Sequence, residues 1–359
     1  MHGNKMMAKN PLSADLDYIL ECTLPLWDNL RKQSIFITGG TGFFGCWLLE
    51  SLLLANDKLD LHCSVTVLTR SPDSFRARAP HLAEHPSVTI IKGTTHAFDF
   101  PKGFFSHVIH AATETSPRLE EIDPVDKFVR NIDGTRRVLD FARVSGARRF
   151  LFTSSGAVYG KQPPDVPLIP EHYAGAPETT DLHTSYGQSK RASEFLCAAY
   201  AHQYGFQALI ARCFAFVGPW LPLDSNLAIG NFIRDAMKQR TIRVNGDGTP
   251  YRSYLYASDL VIWLWTILFR GQSCRPYNVG SDRDISIGEL AQQVKELISP
   301  AIQVEVVGEP VSGKPADRYV PSVERCKTEL GLQVRVSLAE AICRTRNWHN
   351  TSKILGSST

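Results

Sequence analysis

The chain alternates short apolar runs with longer stretches in which apolar residues recur every three or four positions. The apolar runs predict β-strands at residues 34–38, 63–69, 87–91, 107–112, 149–155 and 207–212. Helical spacing predicts helices between them, at residues 43–55, 125–146 and 185–205. Strands that alternate with helices and are apolar at nearly every position are typical of a parallel sheet covered on both faces. We therefore expect an α/β fold with a doubly wound parallel sheet.

The same pattern divides the chain into three parts. Residues 1–33 are expected to form a tail and a helix, which Ser13 can cap and which packs outside the main domain. Residues 34–215 hold the alternating strands and helices. From 216 to 359 the elements become shorter and the loops richer in proline, glycine and aspartate, which indicates a smaller α/β C-terminal domain. The apolar stretch 253–271 is expected to pack back onto the main domain.

Composition narrows the class of protein. Hydrophobic residues make up 43% of the 359-residue chain, and the formal net charge of +3 gives no reason to expect a nucleic-acid partner. The eight cysteines form no CxxC pair and no Cys/His spacing typical of zinc, so we expect no metal. No apolar run is long enough to span a membrane, and the first residues lack a signal-peptide core. We expect a soluble, cytoplasmic protein without a membrane partner.

A glycine-rich turn follows the first strand. Its residues fit both G-x-G-x-x-G and G-x-x-G-x-x-G, with glycines and intervening aromatic residues at Gly39, Gly40, Gly42, Phe43, Phe44 and Gly45. Such glycines allow a tight turn and close approach of the backbone to a pyrophosphate, which the following helix N-terminus attracts. Because the turn joins a strand to a helix, residues 34–215 are predicted to be a dinucleotide-binding domain of Rossmann type.

The second strand ends in Thr69 and Arg70, where dinucleotide-binding domains of this type usually carry an acidic residue for the adenosine ribose. An arginine there can pair with a 2′-phosphate through its planar fork of donors. The expected cofactor is NADP or NAD, with NADP favoured. Alternatively, Arg70 stacks on the adenine or lies in solvent.

Tyr186 and Lys190 are four residues apart, so they share one face of a predicted helix. A tyrosine that acts as a base near neutral pH needs a pKa well below its usual value of about 10, and a nearby ammonium group favours the phenolate. The strand that ends at Ser154 and Ser155 can offer a hydroxyl to the same reacting oxygen. With the glycine turn upstream, these residues predict a proton-transfer set of Ser155, Tyr186 and Lys190.

With these motifs in this order, the sequence resembles the extended short-chain dehydrogenase/reductase family, in its nucleotide-sugar epimerase/dehydratase branch. The resemblance rests on the segments TGGTGFFG (38–45), HAAT (110–113), NIDGT (131–135), TSSGAVYG (153–160), YGQSK (186–190), ARCFAFVGP (211–219), GDGTPYRSYLYASDL (246–260) and YNVGS (277–281). It implies a nucleotide-diphosphate sugar as substrate and residues 216–359 as the substrate-binding domain. It also implies a homodimer joined through the helices near 125–145 and 185–204.

The resemblance implies roles for individual residues as well. Tyr186 would be the catalytic acid or base, Lys190 would lower its pKa and hold the nicotinamide ribose, and Ser155 would be the catalytic serine. Further cofactor contacts are implied for Ala111, Ala112, Thr113 and Asn131, the last of which would support the active-site backbone. Substrate contacts are implied for Thr115, Ser155, Gly156, Asn231, Arg252 and Arg318. The two arginines match positions that bind the substrate's diphosphate, and the alternative for them is a surface salt bridge.

The implied chemistry begins with transient oxidation at sugar C4. The dehydratases of the branch carry Asp and Glu directly after the catalytic residue, and the decarboxylases carry a Glu nearby. This chain has Gly156 and Ala157 there, and neither can transfer a proton. We therefore expect a 4-epimerase, with a 4-keto-sugar reductase as the close alternative and a 4,6-dehydratase using Glu114 or Glu178 as the less favoured one. A non-catalytic, dinucleotide-sensing binding protein is the hypothesis from a different class, and the intact proton-transfer set argues against it.

Overall fold

The computed structural model describes residues 10–113, 123–225, 227–313 and 315–356. Its strands are β1 (Ser34–Thr38), β2 (Ser64–Thr69), β3 (Val88–Lys92), β4 (His107–His110), β5 (Arg149–Ser155), β6 (Gln207–Cys213), β7 (Phe216–Val217), β8 (Ile242–Val244), β9 (Tyr251–Ser253), β10 (Leu255–Tyr256), β11 (Pro276–Val279), β12 (Asp284–Ser286), β13 (Val304–Val306) and β14 (Arg318–Tyr319). Its α-helices are α1 (Ser13–Thr23), α2 (Phe43–Leu59), α3 (Pro72–Arg78), α4 (Pro80–Ala83), α5 (Pro124–Val144), α6 (Ser185–Tyr204), α7 (Ala228–Met237), α8 (Ala257–Arg270), α9 (Ile287–Ile298), α10 (Glu324–Leu330) and α11 (Leu338–Gly356). Short 3-10 helices cover Leu24–Leu30, Gly156–Tyr159 and Leu182–Thr184.

Within the described residues, the main sheet has seven parallel strands in the order β11-β6-β5-β4-β1-β2-β3. The order reverses between β1 and β4, so the connections after these two strands diverge and leave a crevice at the carboxyl edge of the sheet. The predicted α/β fold with a doubly wound, Rossmann-type sheet is confirmed. The fourth strand is shorter than predicted: it ends at His110, whereas the prediction placed its end at residue 112.

Alternate side chains of β1 enter two separate apolar clusters, because neighbouring side chains of a strand point to opposite faces. Ile35 and Ile37 pack with α1, α2 and α8 on one face of the sheet. Phe36 packs with α5 and α6 on the other face, where its ring centroid lies 4.4 Å from that of Phe141. Burial on both faces explains why the strand is apolar at consecutive positions.

Helix α1 packs against α2 and α8 on the outside of the main sheet. Ser13 is its first residue and makes no capping hydrogen bond, so the predicted cap is wrong. Asp15 accepts a hydrogen bond of 2.7 Å from the Tyr256 hydroxyl and forms an ion pair with Arg344 of α11. The N-terminal helix is thereby tied both to β10 and to the C-terminal helix.

A further apolar cluster is built on α7, α9, α11 and β8, and includes Phe232, Leu290 and Ile342. Helix α8 follows β10 and packs against β5 and β6. The division of the chain at residues 215 and 216 stays a prediction. None of the helices in the described ranges is long and apolar enough to cross a membrane.

Candidate active site

A cavity of about 960 Å³ opens at the carboxyl edge of the sheet, beside the crevice between β1 and β4. Its walls come from the turn after β1, the ends of β2, β4 and β5, and one face of α6. It brings together most of the residues that the sequence singled out: Gly39, Gly42, Phe43, Phe44, Thr69, Arg70, Ala111, Ala112, Thr113, Asn131, Ser155, Tyr186 and Lys190. The strand order explains this, because residues distant along the chain meet where the parallel strands end.

Two glycines of the turn make room for close packing of three elements. Gly39 has a φ of 71°, and a Cβ there would lie 2.6 Å from the backbone of Ala111 and Ala112. Gly45 lies in the first turn of α2, and a Cβ there would lie 2.2 Å from the Gly39 carbonyl oxygen. The N–H groups of that first turn have no partner within the helix. This cradle therefore fits a phosphate group.

The end of the cavity beside β2 carries Thr69, Arg70 and, from α3, Arg78. The Thr69 hydroxyl lies 3.3 Å from the hydroxyl of Thr41 in the glycine turn. Arg78 donates a hydrogen bond to the Thr41 carbonyl oxygen, and its guanidinium lies 5.9 Å from the ring centroid of Trp220. Sequence reasoning missed Arg78, because a single arginine in a short helix belongs to no motif.

Helix α6 presents Tyr186 and Lys190 to the cavity from its first two turns. The Lys190 ammonium donates hydrogen bonds to the Thr113 hydroxyl at 2.9 Å and to the Thr153 carbonyl oxygen at 2.8 Å. Its nitrogen lies 5.9 Å from the ring centroid of Tyr186. The ends of β4 and β5 thus hold the lysine beside the tyrosine.

Asn131 of α5 lies behind this helix. Its side-chain amide donates a hydrogen bond of 3.2 Å to the Ser189 hydroxyl, which donates one of 2.9 Å to the Tyr186 carbonyl oxygen. The asparagine therefore contacts the backbone of the helix that carries Tyr186 through Ser189, besides lining the cavity.

Burial dominates the protonation of both α6 side chains. It raises the pKa of the Tyr186 phenol well above its ordinary value, with the nearby Tyr319 adding to the rise and the Ser155 hydroxyl opposing it. Burial lowers the pKa of the Lys190 ammonium to about 8. The sequence led us to expect a lowered pKa for Tyr186, and in the protein alone the cost of burying a phenolate outweighs any such effect.

Strand β5 ends in two serines that have different partners. The Ser154 hydroxyl donates a hydrogen bond of 2.5 Å to the carboxylate of Glu194, which also accepts from the guanidinium of Arg212. The Ser155 hydroxyl accepts a hydrogen bond of 3.1 Å from the Ala157 N–H. Ser155 is therefore the serine of the pair whose hydroxyl is not committed to a charged partner.

Aromatic rings form the cavity wall next to Ser155. A Cβ on Gly156 would lie 2.7 Å from the ring of Phe214 and 2.7 Å from the hydroxyl of Tyr319. Both rings line the cavity, and their centroids are 4.7 Å apart. Gly156 thus lies behind the lining that Phe214 and Tyr319 provide.

A second cavity, of about 270 Å³, lies beside α7 and contains Asn231, Arg243 and Arg252. Arg318 lines neither of the two cavities. It forms an ion pair with Asp284 of β12, the strand on the other side of β9. The structure therefore brings Asn231 and Arg252 together, and it places Arg318 in the salt bridge that was the alternative for this residue.

No carboxylate lines the larger cavity among the residues that the structure describes. Glu178, one alternative acid, accepts a hydrogen bond from the Thr180 hydroxyl and is not part of the lining. Glu114 and Thr115 lie outside the described residues. In the described part of the chain, no group of three or more His, Cys, Asp or Glu side chains is arranged to hold a metal ion.

Comparison with known proteins identifies the family. The model of the NAD-dependent epimerase/dehydratase family matches residues 35–280, which is more than half of the chain. The chain belongs to this family. UDP-glucuronic acid decarboxylase 5 of Arabidopsis thaliana is 32% identical to it over 315 residues, which cover 87% of this chain and 87% of the relative.

Two solved structures share the fold of this epimerase/dehydratase family member. The dTDP-glucose 4,6-dehydratase of Streptomyces venezuelae, determined with NAD bound, has a TM-score of 0.76 at 22% identity and covers 90% of this chain and 98% of its own. The UDP-glucose 4-epimerase of Thermotoga maritima, determined with UDP-glucose, has a TM-score of 0.73 at 20% identity and covers 89% and 100%. At such identities the likeness establishes the fold alone.

Two further side chains that line the larger cavity of this family member were not predicted from the sequence. Lys127 lies with its nitrogen 5.9 Å from the Tyr186 ring centroid and lines the cavity. It precedes Asn131 by four residues, so helical spacing places both on one face of α5 and could have indicated it. Tyr319 directly follows Arg318, but no spacing pattern indicated the tyrosine itself, because it lies in a two-residue strand.

Proposed function

We propose that this family member is an NAD(P)-dependent nucleotide-sugar 4-epimerase that acts through transient oxidation at sugar C4. One observation carries the proposal: the described lining of the larger cavity combines Ser155, Tyr186 and Lys190 with no carboxylate. Such a set can exchange a proton with one hydroxyl group. It offers no acidic side chain for a second proton transfer at C5.

A nicotinamide dinucleotide fits the larger cavity, because Gly39 and Gly45 leave a cradle that a Cβ would fill. The first turn of α2 would hold the pyrophosphate, and Thr69 and Arg70 would hold the adenosine end. Lys190 would hold the nicotinamide ribose. When bound, the dinucleotide supplies the group that accepts a hydride from C4 and returns it.

Tyr186 would exchange a proton with the C4 hydroxyl, and Ser155 would share a hydrogen bond with the same oxygen. Burial alone keeps the Tyr186 phenol protonated, since it raises its pKa. Proton exchange therefore needs positive charge beside the phenol. Lys190 supplies such a charge at neutral pH, which is below its pKa of about 8.

The substrate we propose is a nucleoside diphosphate sugar. Arg252, Arg243 and Asn231 of the smaller cavity would contact its nucleotide and phosphates, because guanidinium groups pair well with phosphate oxygens. The relatives support this class, since their names refer to UDP-glucuronic acid, UDP-glucose and dTDP-glucose. Arg318 would join them only after it releases Asp284.

The decarboxylase and dehydratase relatives catalyse reactions that change C5 or C6. Loss of carbon dioxide from a glucuronic acid leaves a C5 that must receive a proton, and elimination requires removal of a C5 proton. Gly156 and Ala157 carry no group that could exchange either proton. Hydride exchange at C4 has no such requirement, which favours the epimerase.

The test is to release and identify any bound cofactor by mass, and to incubate the protein with UDP-, dTDP-, GDP- and CDP-sugars, including UDP-glucuronic acid. NMR should show interconversion of a pair of C4 epimers without net oxidation or reduction of the cofactor. A 4-keto-6-deoxy sugar or a pentose product would overturn the epimerase.

The matched variant is Tyr186→Phe, which keeps the ring and removes the hydroxyl. We expect it to bind the cofactor and lose turnover by about 10²- to 10⁴-fold. If the wild type converted no nucleotide sugar and the variant bound cofactor and partner unchanged, the non-catalytic binding protein would be the better assignment.

A 4-keto-sugar reductase is the second candidate, and the arginines beside β2 favour it. Arg70 and Arg78 both line the cavity there, and the described residues that line this cavity include no Asp or Glu. Guanidinium groups suit the 2′-phosphate of NADP, and NADPH is a reductant. Consumption of NADPH with a 4-keto-6-deoxy nucleotide sugar, together with tighter binding of NADP than of NAD, would favour this candidate over the epimerase.

We also propose a homodimer joined through α5 and α6. These helices pack side by side, and their outer faces carry exposed apolar side chains, among them Val125, Val129 and Phe195, which is 73% exposed. Apolar patches of this kind commonly mark protein interfaces. Light scattering should give twice the chain mass, and Phe195→Lys should give a monomer; a monomeric wild type would overturn the proposal.

We assign the protein to the cytoplasm as part of the same proposal. All eight cysteines are free thiols in the structure. Free thiols are typical of a reducing compartment. Fractionation of cells that express the tagged chain would test the assignment.

A further inference from the structure

Trp220 lies in a conformation that its backbone and its indole N–H do not favour. Its φ of 70° is in the left-handed region, which is uncommon for a residue that carries a Cβ. Its indole nitrogen is buried and has no hydrogen-bond partner among the residues that the structure describes. Residues held in such conformations cluster at functional sites, where the surrounding contacts impose them. The contacts of the Trp220 ring therefore hold this residue in place.

The Trp220 ring contacts side chains from three helices. The ring of His81 in α4 is stacked on it, with the centroids 6.3 Å apart and the planes at 24°. The ring of Trp348 in α11 is tilted against it, with the centroids 4.9 Å apart. The guanidinium of Arg78 in α3 lies 5.9 Å from its centroid, which is within reach of a cation–π attraction. The C-terminal helix thus meets α3 and α4 at this indole.

His81 and Trp348 are themselves anchored. The Nε2 atom of His81 lies 2.8 Å from a carboxylate oxygen of Glu50, which is buried in α2. Arg344, four residues before Trp348, forms an ion pair with α1. This spacing places Arg344 and Trp348 on one face of α11. Trp220 is therefore supported both by the main domain and by the C-terminal helix.

Arg78 carries this support to the larger cavity. It lines the end of the cavity beside β2, together with Thr69 and Arg70. Within the described residues, its Nη2 group donates hydrogen bonds to the Thr41 carbonyl oxygen and, at 3.8 Å, to the Cys46 Sγ atom. Its Nε and Nη1 groups donate to neither of these atoms. Because guanidinium groups pair well with phosphate oxygens, they suit a phosphate in the cavity.

The chain that follows Trp220 enters the same cavity. Leu221 is buried in its wall, and Pro222, Ser225 and Leu227 also line it. The position of Trp220 therefore sets both where the Arg78 guanidinium lies and where this part of the wall begins.

We propose that Trp220, supported by Trp348, is a positioning residue that holds the Arg78 guanidinium against a phosphate at the adenosine end of a nicotinamide dinucleotide. The inference rests on the proposed function in one respect, namely that such a dinucleotide occupies the larger cavity. The 2′-phosphate of NADP and the pyrophosphate of either dinucleotide offer the same chemistry to a guanidinium. The C-terminal helix thereby becomes part of the cofactor site, although none of its described residues lines the cavity.

The experiment titrates the full-length protein calorimetrically, after dialysis against buffer, with NADP and with NAD, which differ only in the 2′-phosphate. Arg78→Met should weaken binding about tenfold or more, as expected for loss of a hydrogen bond to a charged group. Trp220→Leu and Trp348→Leu should each weaken it about two- to fivefold, since they remove the cation–π contact or its support. Losses confined to NADP would assign the 2′-phosphate, and equal losses for both ligands would assign the pyrophosphate.

A double variant separates positioning from general damage. Trp220→Leu should cause no further loss of affinity when combined with Arg78→Met, because the side chain that it positions is gone. Trp220→Phe keeps an aromatic ring and should restore part of the affinity. The matched control is Arg76→Met, since Arg76 lies in the same short helix, pairs with Asp73 and does not line the cavity. It should leave both affinities unchanged, and melting temperatures report on the folding of every variant.

The inference is overturned if Arg78→Met binds both dinucleotides as the wild type does, or if Trp220→Leu lowers affinity by the same factor with and without Arg78. An effect of Trp220→Leu without any effect of Trp348→Leu would contradict the support from α11. A wild type that binds neither NAD nor NADP would refute the proposed function together with the inference. Wild-type affinity in all the variants would refute the inference alone.

Discussion

A buried ion pair anchors the face of α6 that carries the catalytic side chains. Tyr186, Lys190 and Glu194 follow one another at intervals of four residues, so they share that face. The Glu194 carboxylate accepts hydrogen bonds from Arg212 at 2.7 and 3.0 Å and one from Ser154 at 2.5 Å. The Arg212 and Glu194 side chains are only 14% and 10% exposed. The pair thus ties the helix to the ends of β5 and β6.

Arg212→Met should be strongly destabilising, because it leaves the Glu194 carboxylate buried without its cation. Removal of one partner of a buried pair typically costs about 3–5 kcal/mol, and we expect that loss in the free energy of unfolding at pH 8. Glu194→Gln should cost a similar amount. The double variant Arg212→Met with Glu194→Gln should lose less than the sum, because it leaves no uncompensated charge.

Urea unfolding followed by tryptophan fluorescence, at pH 8 and pH 5, measures these losses. In Arg212→Met the stranded carboxylate takes up a proton as the pH falls, which removes the buried charge, so the loss relative to wild type should be smaller at pH 5. Arg76→Met is the control, since Arg76 pairs with Asp73 on the surface and such pairs contribute less than about 1 kcal/mol. A loss below about 1 kcal/mol for Arg212→Met at pH 8, or one that does not change with pH, would refute the reasoning.

The larger cavity provides the remaining predictions. Burial lowers the pKa of Lys190 to about 8, so the charge beside Tyr186 disappears as the pH rises through that value. The kcat/KM of the wild type should therefore fall above that pH, and in Lys190→Arg, whose guanidinium stays charged, the pH–rate profile should decline only at higher pH. Arg70→Asp should shift the ratio of the NADP and NAD dissociation constants toward NAD by about tenfold or more in fluorescence titrations; an unchanged ratio would show that Arg70 does not contact a 2′-phosphate. Gly45→Ala places a Cβ 2.2 Å from the Gly39 carbonyl oxygen and should lower stability by about 1–3 kcal/mol in urea unfolding, with weaker cofactor binding; wild-type stability would contradict the close approach.

The main sheet was accessible to sequence reasoning because its strands are short, apolar and separated by helices of clear periodicity. The positions at which individual strands and helices begin and end were harder to predict from the sequence. The strand that ends at His110 was predicted too long, since Ala111 and Ala112 continue the apolar run but lie in the cavity wall. Ser13 had the right chemistry for a cap and lies one position too far into α1 to act as one.

The amino-acid sequence by itself determined the parallel sheet, the glycine turn and the shared face of Tyr186 and Lys190. Each of these depends on residues close together in the chain, where spacing translates directly into geometry. It could not show how strongly burial acts on the Tyr186 phenol, because burial is a property of the packed molecule.

Only the tertiary structure decided which side chains complete the cavity. Arg78, Phe214 and Tyr319 reach it from a short helix, a loop and a two-residue strand. A side chain at position 156, next to Ser155, would need the space that is occupied by the hydroxyl of Tyr319, 164 residues from Ser155 along the chain. Contacts between such distant residues are set by the packing of whole elements against one another, and no local pattern encodes them.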